Sequence, residues 1–511
     1  MNRSLPQART WVAHRAPALI CWLAACAVLL VRGGAVFGAV PPAPPNVIVI
    51  LTDDEGYGDL KSFYPATGVE SPHFDRLAAE GMRFSDFYVG SAVCSPSRAA
   101  LMTGCYPQRV GLPAVLEADS NVGLNSEEET LPELLKAGGY RTCCIGKWHL
   151  GDRPEFLPTR HGFDEYFGLP YSNDMWPNHP VKKNFFPDLP LMEGEQTIAF
   201  NPDQSQLTRQ YTERSVDFIE KNKDRPFFLY LAHTMPHVPL AVSDRFQGTS
   251  GRGIYGDVLL ELDWSLGEIL ATLKREEIDD RTILVFLSDN GPWLSYGDHA
   301  GKAGPLREGK TTTFDGGQRV PCIVRWPGKV PGGRVCREIV TSMDLLPTLC
   351  RLARTPMPKK RIDGKDIWPL MAGQPGARSP HEVFFYYNAW ALEAVRMGRW
   401  KLVLPHDFYA VVKPGTDGNP GQHEWTHVSM ALYDILNDVG ETTDVAGEHP
   451  EIVDRLLEQI AQAREDLGDG VQQVMPEKKD YFQSRRLYRI RGEGQRPPGI
   501  ATTPPRSWLS E

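Results

Sequence analysis

Four places in the sequence join an apolar run to polar groups able to hold a metal or an anion. NVIVILTDDEGYGD ends in Asp53 and Asp54, and RTILVFLSDNG ends in Asp289 and Asn290. YRTCCIGKWH ends in Lys147 and His149, and PFFLYLAHTMPH ends in His237. Three carboxylates and an amide oxygen are hard ligands, which select calcium or magnesium over zinc. Each aspartate alone can instead cap the turn that follows it. Jointly that alternative weakens, because adjacent carboxylates packed without a cation repel one another. Lys147 and His149 are two apart, so an extended segment projects both from one face.

A fifth stretch, CSPSRAALMTG (residues 94–104), sets a thiol at the start of a segment that reads as a helix. Pro96 suits a first turn, whose free N–H groups then face whatever lies beside Cys94. Arg98, about one turn on, is placed to complete an anion cradle. On residue type alone, Cys94 is either an activated nucleophile at a helix N-terminus or a structural free thiol. Taken singly, His237 also fits a turn histidine, Lys310 beside Gly309 a solvated loop cation, and Ser172 in PYSND a plain turn.

Such groups work only if elements bring them together. Unbroken β-branched runs ending in acids are the pattern of strands buried on both faces of a parallel sheet. Leu259, Leu262, Leu266, Ile269 and Leu273 recur at helical spacing ahead of RTILVFLSDNG, and helix followed by buried strand is the βαβ pattern. TLPELLKAGG is a second helix, begun by Thr130, with a proline in its first turn and glycines at its end. The expected fold is α/β, a large doubly wound, mostly parallel sheet flanked by helices over residues 45–375, with ligands held at the carboxyl ends of its strands. Past MAGQPGARSP come FFYYNAW, AVRMGRWKLVL and LYDILND, then a helix carrying Ile452, Val453, Leu456, Leu457 and Ile460. These predict a smaller C-terminal antiparallel sheet plus helix over residues 376–475, followed by a basic, Pro-rich tail over residues 476–511. Residues 175–190 and 407–425 show no periodic pattern.

With 41% hydrophobic and 23% charged residues in 511, the chain has the composition of a soluble, well-cored protein. Arg3, Arg9 and Arg15 precede the apolar run ALICWLAACAVLLV and the small residues of AVFGAV, the layout of a signal peptide over residues 1–38. The run is short for a membrane span, and it continues past Cys26, unlike a lipoprotein attachment site. The expectation is export (secreted, periplasmic or lumenal), with a membrane- or lipid-anchored form only if this segment is retained. Its removal takes away four arginines and no acid, moving the net charge from −9 to −13. So acidic a chain does not hold nucleic acid by bulk attraction, and an anionic substrate must be met by local cations. Seven cysteines remain outside the signal segment, an odd number, with Cys94 as the unpaired one. No spacing fits zinc, and Cys143-Cys144 reads as buried filler.

CSPSRAALMTG closely resembles the signature of type I sulfatases, members of the alkaline phosphatase superfamily. In that family the cysteine of a C-x-P-x-R core is oxidised to formylglycine (3-oxoalanine) by a formylglycine-generating, sulfatase-maturing enzyme. TDDEGYGD, GKWHLG, GLPYSND, SDNG and GKTTTFDGG follow in the family's order. The resemblance runs from about residue 45 to 337, and within the family it points to the arylsulfatase A and N-acetylgalactosamine-6-sulfatase branch. It implies that Asp53, Asp54, Asp289 and Asn290 hold calcium together with an oxygen of the residue made from Cys94. It makes Arg98, Lys147 and Lys310 the cations of the site, Ser172 a sulfate contact, and His149 and His237 the two active-site histidines. The formylglycine hydrate would supply one hydroxyl to attack sulfur, with help from Asp289, and a second, deprotonated with help from His149, to expel sulfate. His237 with Lys310 would protonate the leaving alcohol. Cys105 departs from the pattern, standing where relatives usually carry arginine.

The implied activity is cleavage of an alkyl or aryl sulfate ester, and the Lys182-Lys183 pair and aromatics of the unpatterned segments suit a sulfated sugar or a smaller sulfated molecule. Three alternatives remain: a phosphodiester or phosphonate hydrolase of the same superfamily, a non-catalytic binder of sulfated glycans with Cys94 unmodified, and a cysteine hydrolase. The hard-ligand cluster argues against the last.

Overall fold

The strand Asn46–Thr52 is buried along its whole length. It is flanked on both sides by parallel partners, Thr282–Ser288 and Phe227–Ala232. Because successive side chains point to opposite faces, Val47, Val49 and Leu51 enter one core and Ile48 and Ile50 the other. Helices Leu131–Ala137 and Leu345–Ala353 cover the first face, and Pro72–Glu80, Leu207–Asn222 and Gly253–Arg275 cover the second. In the last of these, Leu259, Leu262, Leu266, Ile269 and Leu273 are all buried, as their spacing predicts. Thr130 and Glu133 form a capping box at the start of Leu131–Ala137.

This computed structural model describes residues 44–470, so the expected signal segment and the basic tail lie outside the described residues. Its main sheet has ten strands. Five central ones are parallel, in the spatial order Thr282–Ser288, Asn46–Thr52, Phe227–Ala232, Arg141–Gly146 and Glu165–Gly168. Antiparallel strands extend both edges, Cys322–Arg325 on one side and Pro190–Glu193 on the other. The chain changes sides of Asn46–Thr52 between Phe227–Ala232 and Thr282–Ser288, which leaves a crevice at those carboxyl ends. The fold is therefore the doubly wound α/β class with mixed edges.

Val383–Asn388, Ala391–Met397, Trp400–Val403 and Ala431–Asp434 form a four-stranded antiparallel sheet. Val453, Leu456 and Ile460 of the helix Pro450–Leu467 share its core. Residues 407–425, unpatterned in sequence, are largely a hairpin of His406–Lys413 and Gln422–Val428. Tertiary anchoring overrides the missing alternation there, since Gly415 and Gly421 both donate backbone N–H groups to the Ser295 carbonyl at 2.8 Å.

Candidate active site

Four adjacent parallel strands deliver the polar groups, and backbone bonds continue the sheet one step beyond them. Asp289 N–H donates to the Thr52 carbonyl at 3.0 Å, Asp53 N–H to Met235 at 3.2 Å, and Lys147 N–H to Ala232 at 2.8 Å. The side chains then interlock. Asp54 N–H donates to Asp289 Oδ1 at 3.2 Å, and Asn290 Nδ2 donates to Asp54 Oδ1 at 2.7 Å. All four of Asp53, Asp54, Asp289 and Asn290 are buried.

Cations surround these carboxylates. Lys147 Nζ is paired with Asp53 Oδ2 and donates to Ser172 Oγ at 3.1 Å. Lys310 Nζ lies 2.7 Å from Asp54 Oδ1 and 4.5 Å above the Trp293 ring. Arg98 was expected to complete an anion cradle, but its fork is turned onto the protein. Nε and Nη2 donate to Asp289 Oδ2 at 3.0 and 2.8 Å, Nη1 donates to the Lys147 carbonyl at 2.6 Å, and Nη2 is 3.3 Å from Asp53 Oδ2. Two buried carboxylates side by side need that charge. Arg98 thus organises the ligand set and the Lys147 backbone together.

The residues fit a hard divalent cation. Ligand atoms of Asp53, Cys94 and Asp289 lie within 4.8 Å of one another, as do those of Asp53, Asp54 and His237. Asp53 Oδ1 and Asn290 Oδ1 are buried without a hydrogen-bond partner, a state polar atoms rarely keep. Burial and the neighbouring Asp53 charge push Asp289 up to about 7. Burial acts on Asp53 too, but Lys147, His237, Arg98 and Lys310 outweigh it and hold Asp53 well below the carboxylate range. With the protein's own groups alone, then, one of this pair is not fully ionised at neutral pH. A bound divalent ion would let both be anions, and oxygen donors suit calcium or magnesium.

The helix Cys94–Thr103 is entirely buried and ends at Gly104, whose positive φ of 68° lets its N–H close on the Ala100 carbonyl at 2.9 Å. Cys94 stands at its first position. Burial raises the thiol above its usual value despite Lys147 and Lys310, which is not the environment of a standing thiolate. Among the described residues all seven cysteines are free.

The strand ahead of Lys147 stops at Gly146, and His149 has φ 60°, so the two side chains do not share one extended face. The turn instead ties His149 to the nucleophile helix. Its Nε2 donates to the Leu116 carbonyl at 2.8 Å, and Leu116 N–H donates to Ser95 Oγ at 3.1 Å. Nδ1 is left as a buried lone pair without a partner. Burial, then the Lys147 charge, push His149 well below its ordinary value. His237 has the opposite tautomer, with Nδ1 donating to the Val238 carbonyl at 2.6 Å and Nε2 lying 3.6 Å from Asp54 Oδ2. Burial and then Lys310 lower it as well.

Two further residues belong here that sequence reasoning passed over. Trp293, partly exposed, packs beside His237 with ring centroids 5.5 Å apart and lies under Lys310. Asp174 is buried two positions after Ser172. The signal for Trp293 was its place three residues past Asn290. PYSND offered no such signal, because a turn sequence does not say that its carboxylate is inside.

Comparison with known proteins identifies the family. A family model described as Sulfatase matches residues 45–355, and one described as C-terminal region of aryl-sulfatase matches residues 379–485. The chain is 38% identical to an N-acetylgalactosamine-6-sulfatase of Canis lupus familiaris over 484 residues, covering 88% of this chain and 91% of that protein. It is 38% identical to arylsulfatase A of Homo sapiens over 453 residues, covering 82% and 87%. Among solved structures it is similar to the PsFucS1 sulfatase from Pseudoalteromonas sp., with TM-score 0.73 and 27% identity over 82% of this chain and 91% of that one.

Proposed function

This chain belongs to the sulfatase family and hydrolyses sulfate esters, and we propose that it desulfates a sugar, using formylglycine made from Cys94 and a calcium ion. The observation that carries the cofactor part is the pair of partnerless buried oxygens, Asp53 Oδ1 and Asn290 Oδ1, beside Cys94 and Asp289. When present, the formylglycine hydrate supplies the attacking hydroxyl and the calcium ion makes that hydroxyl more acidic.

The chain's own residues do the rest. Lys147 and Lys310 face the charge that grows on the sulfonyl oxygens, and their fixed positions in a buried site make them the main electrostatic contribution. Arg98 holds Asp289 and the Lys147 backbone in register. His149 accepts a proton at Nδ1, since Leu116 occupies its other nitrogen. His237 delivers a proton from Nε2 to the leaving oxygen, with Asp54 and a bound anion favouring its charged form against burial. Sulfated-sugar relatives support the substrate class, and the signal-like first 38 residues support export and meeting a maturing enzyme on the way.

Mass spectrometry of the peptide spanning residue 94 tests the modification. An aldehyde is expected in active protein, and a thiol in fully active protein would reject it. Exhaustive chelation is expected to abolish turnover, with calcium restoring more of it than magnesium. Undiminished activity after chelation would reject the metal.

A further inference from the structure

Asp174 lies in a tight turn beside the sulfate-binding cations. Met175 N–H donates to the Ser172 carbonyl at 3.1 Å, and Trp176 N–H to Asp174's own carbonyl at 2.9 Å. The residue is 9% exposed, yet Asp174 Oδ1 is buried with no hydrogen-bond partner. Two structural aspartates of the fold are instead satisfied on both oxygens. Asp59 accepts from Lys302 N–H on Oδ1 and from Gly56 N–H and Tyr255 on Oδ2, while Asp315 accepts on both oxygens from Tyr386 and Tyr88.

The carboxylate is also aimed. His179 Nδ1 accepts two backbone N–H groups, from Val181 and Lys182, at 3.0 Å each. Its proton therefore sits on Nε2, which lies 4.0 Å from Asp174 Oδ2. Burial would raise the Asp174 carboxyl, but His237, hydrogen bonding from Ser172, and then Lys147 and Lys310 hold it below the usual range. A site built for an anion thus keeps an anionic oxygen at its wall, which opposes sulfate unless a neutral donor on the substrate meets it.

We propose that Asp174 is a specificity-determining residue whose Oδ1 accepts a hydrogen bond from a hydroxyl or amide N–H within one or two carbons of the sulfate ester. The preferred substrate is then a sulfated sugar with such a donor, not a simple aryl sulfate. This rests on the sulfatase reading above and narrows it. A polar atom that a substrate alone can satisfy discriminates strongly against analogues that lack the partner.

The test compares the holoenzyme with Asp174→Asn on monosulfates of galactose and N-acetylgalactosamine, on deoxy analogues lacking the neighbouring hydroxyl, and on 4-nitrophenyl sulfate. Wild type is expected to prefer a sugar sulfate and to lose about tenfold or more in kcat/KM on its deoxy analogue. Asp174→Asn should lose as much on the intact sugar sulfate, mainly in KM. It should lose nothing further on the analogue and should gain on 4-nitrophenyl sulfate, because the wall charge that opposes a sulfate without a neighbouring donor is gone. Equal losses on sugar and aryl esters, or a wild type indifferent to the neighbouring hydroxyl, would overturn the proposal. If Asp174→Asn does not fold, the wild-type comparison of sugar with deoxy sugar still decides. Failure of wild type on every sulfate ester would strike the underlying sulfatase reading instead.

Discussion

Trp148 stands between Lys147 and His149, and what lies under its ring decides how firmly both are held. Its Nε1 donates to the Phe156 carbonyl at 2.8 Å, and its ring stacks on His161 with centroids 5.9 Å apart. Both His161 nitrogens are buried without partners, and burial pushes this histidine down to about 4. Its contribution to stability is complete above an unfolded value near 6.5 and is lost as pH falls from there towards 4, because the unfolded chain takes the proton first. At pH 5 the loss is roughly 2 kcal/mol. Urea unfolding at pH 7 and pH 5 should therefore show a smaller acid loss for His161→Phe than for wild type by about that amount; identical losses would mean that His161 is not neutral inside. Neither His161 nor Asp174 was legible as functional in the sequence. Asp53, Asp289, Lys147 and Cys94 were, because chemically potent types ended apolar runs or opened a helix. Burial and missing partners are properties of the surroundings, and residue type does not carry them.

At the next scale, the strand ends owe their convergence to close backbone approach. Gly146 has φ 106°, and a Cβ placed on it would stand 1.8 Å from the Ala232 carbonyl oxygen. A Cβ on Gly168 would stand 1.9 Å from the Gly146 carbonyl oxygen. Three neighbouring strands thus close on one another where Lys147 leaves the sheet. Gly146→Ala should force them apart and move Lys147, lowering kcat by about a hundredfold or more while circular dichroism still shows a folded α/β protein. Gly139 is the control, since its φ is 89° but nothing lies within 4 Å of its added Cβ. Gly139→Ala should cost about 1 kcal/mol of stability and leave kcat unchanged. Equal kinetics in the two variants would show that strain alone, not the approach of the strands, matters. The strands themselves were readable as apolar runs, and the helices from their spacing. The hairpin of residues 406–428 was not, because its faces are mixed and its fixed points are the two glycine N–H groups on Ser295.

Across the molecule, the antiparallel C-terminal sheet was legible as an element with its own texture, but not as part of the active site. Tyr88, Ala100 and Phe314 from the catalytic half share a core with Phe384, Tyr386 and Leu402. Through that core runs a buried ionic tie. Lys401, on Trp400–Val403, places Nζ 3.0 Å from Asp315 Oδ1, 2.7 Å from Glu441 Oε1 and 3.0 Å from the Thr313 carbonyl. Asp315 N–H donates to Glu441 Oε2 at 2.8 Å. Thr313 and Asp315 close the loop that begins with Lys310, and Gly317 of the same loop accepts from Gly291 N–H at 3.0 Å, next to Asn290. The C-terminal sheet therefore anchors the far end of the loop that carries Lys310. Lys401→Met takes the shared cation from two buried carboxylates, of which Asp315 keeps its two tyrosine donors, and should destabilise the protein by about 3–5 kcal/mol. It should also lower kcat at temperatures where the variant remains folded. Adding Glu441→Gln removes one of the stranded charges without restoring the clamp, so stability should partly return while kcat stays low. Paired unfolding and turnover measurements separate the two effects. Should kcat recover in step with stability, Lys401 would be a purely structural charge, and the position of Lys310 would be set by the catalytic half alone.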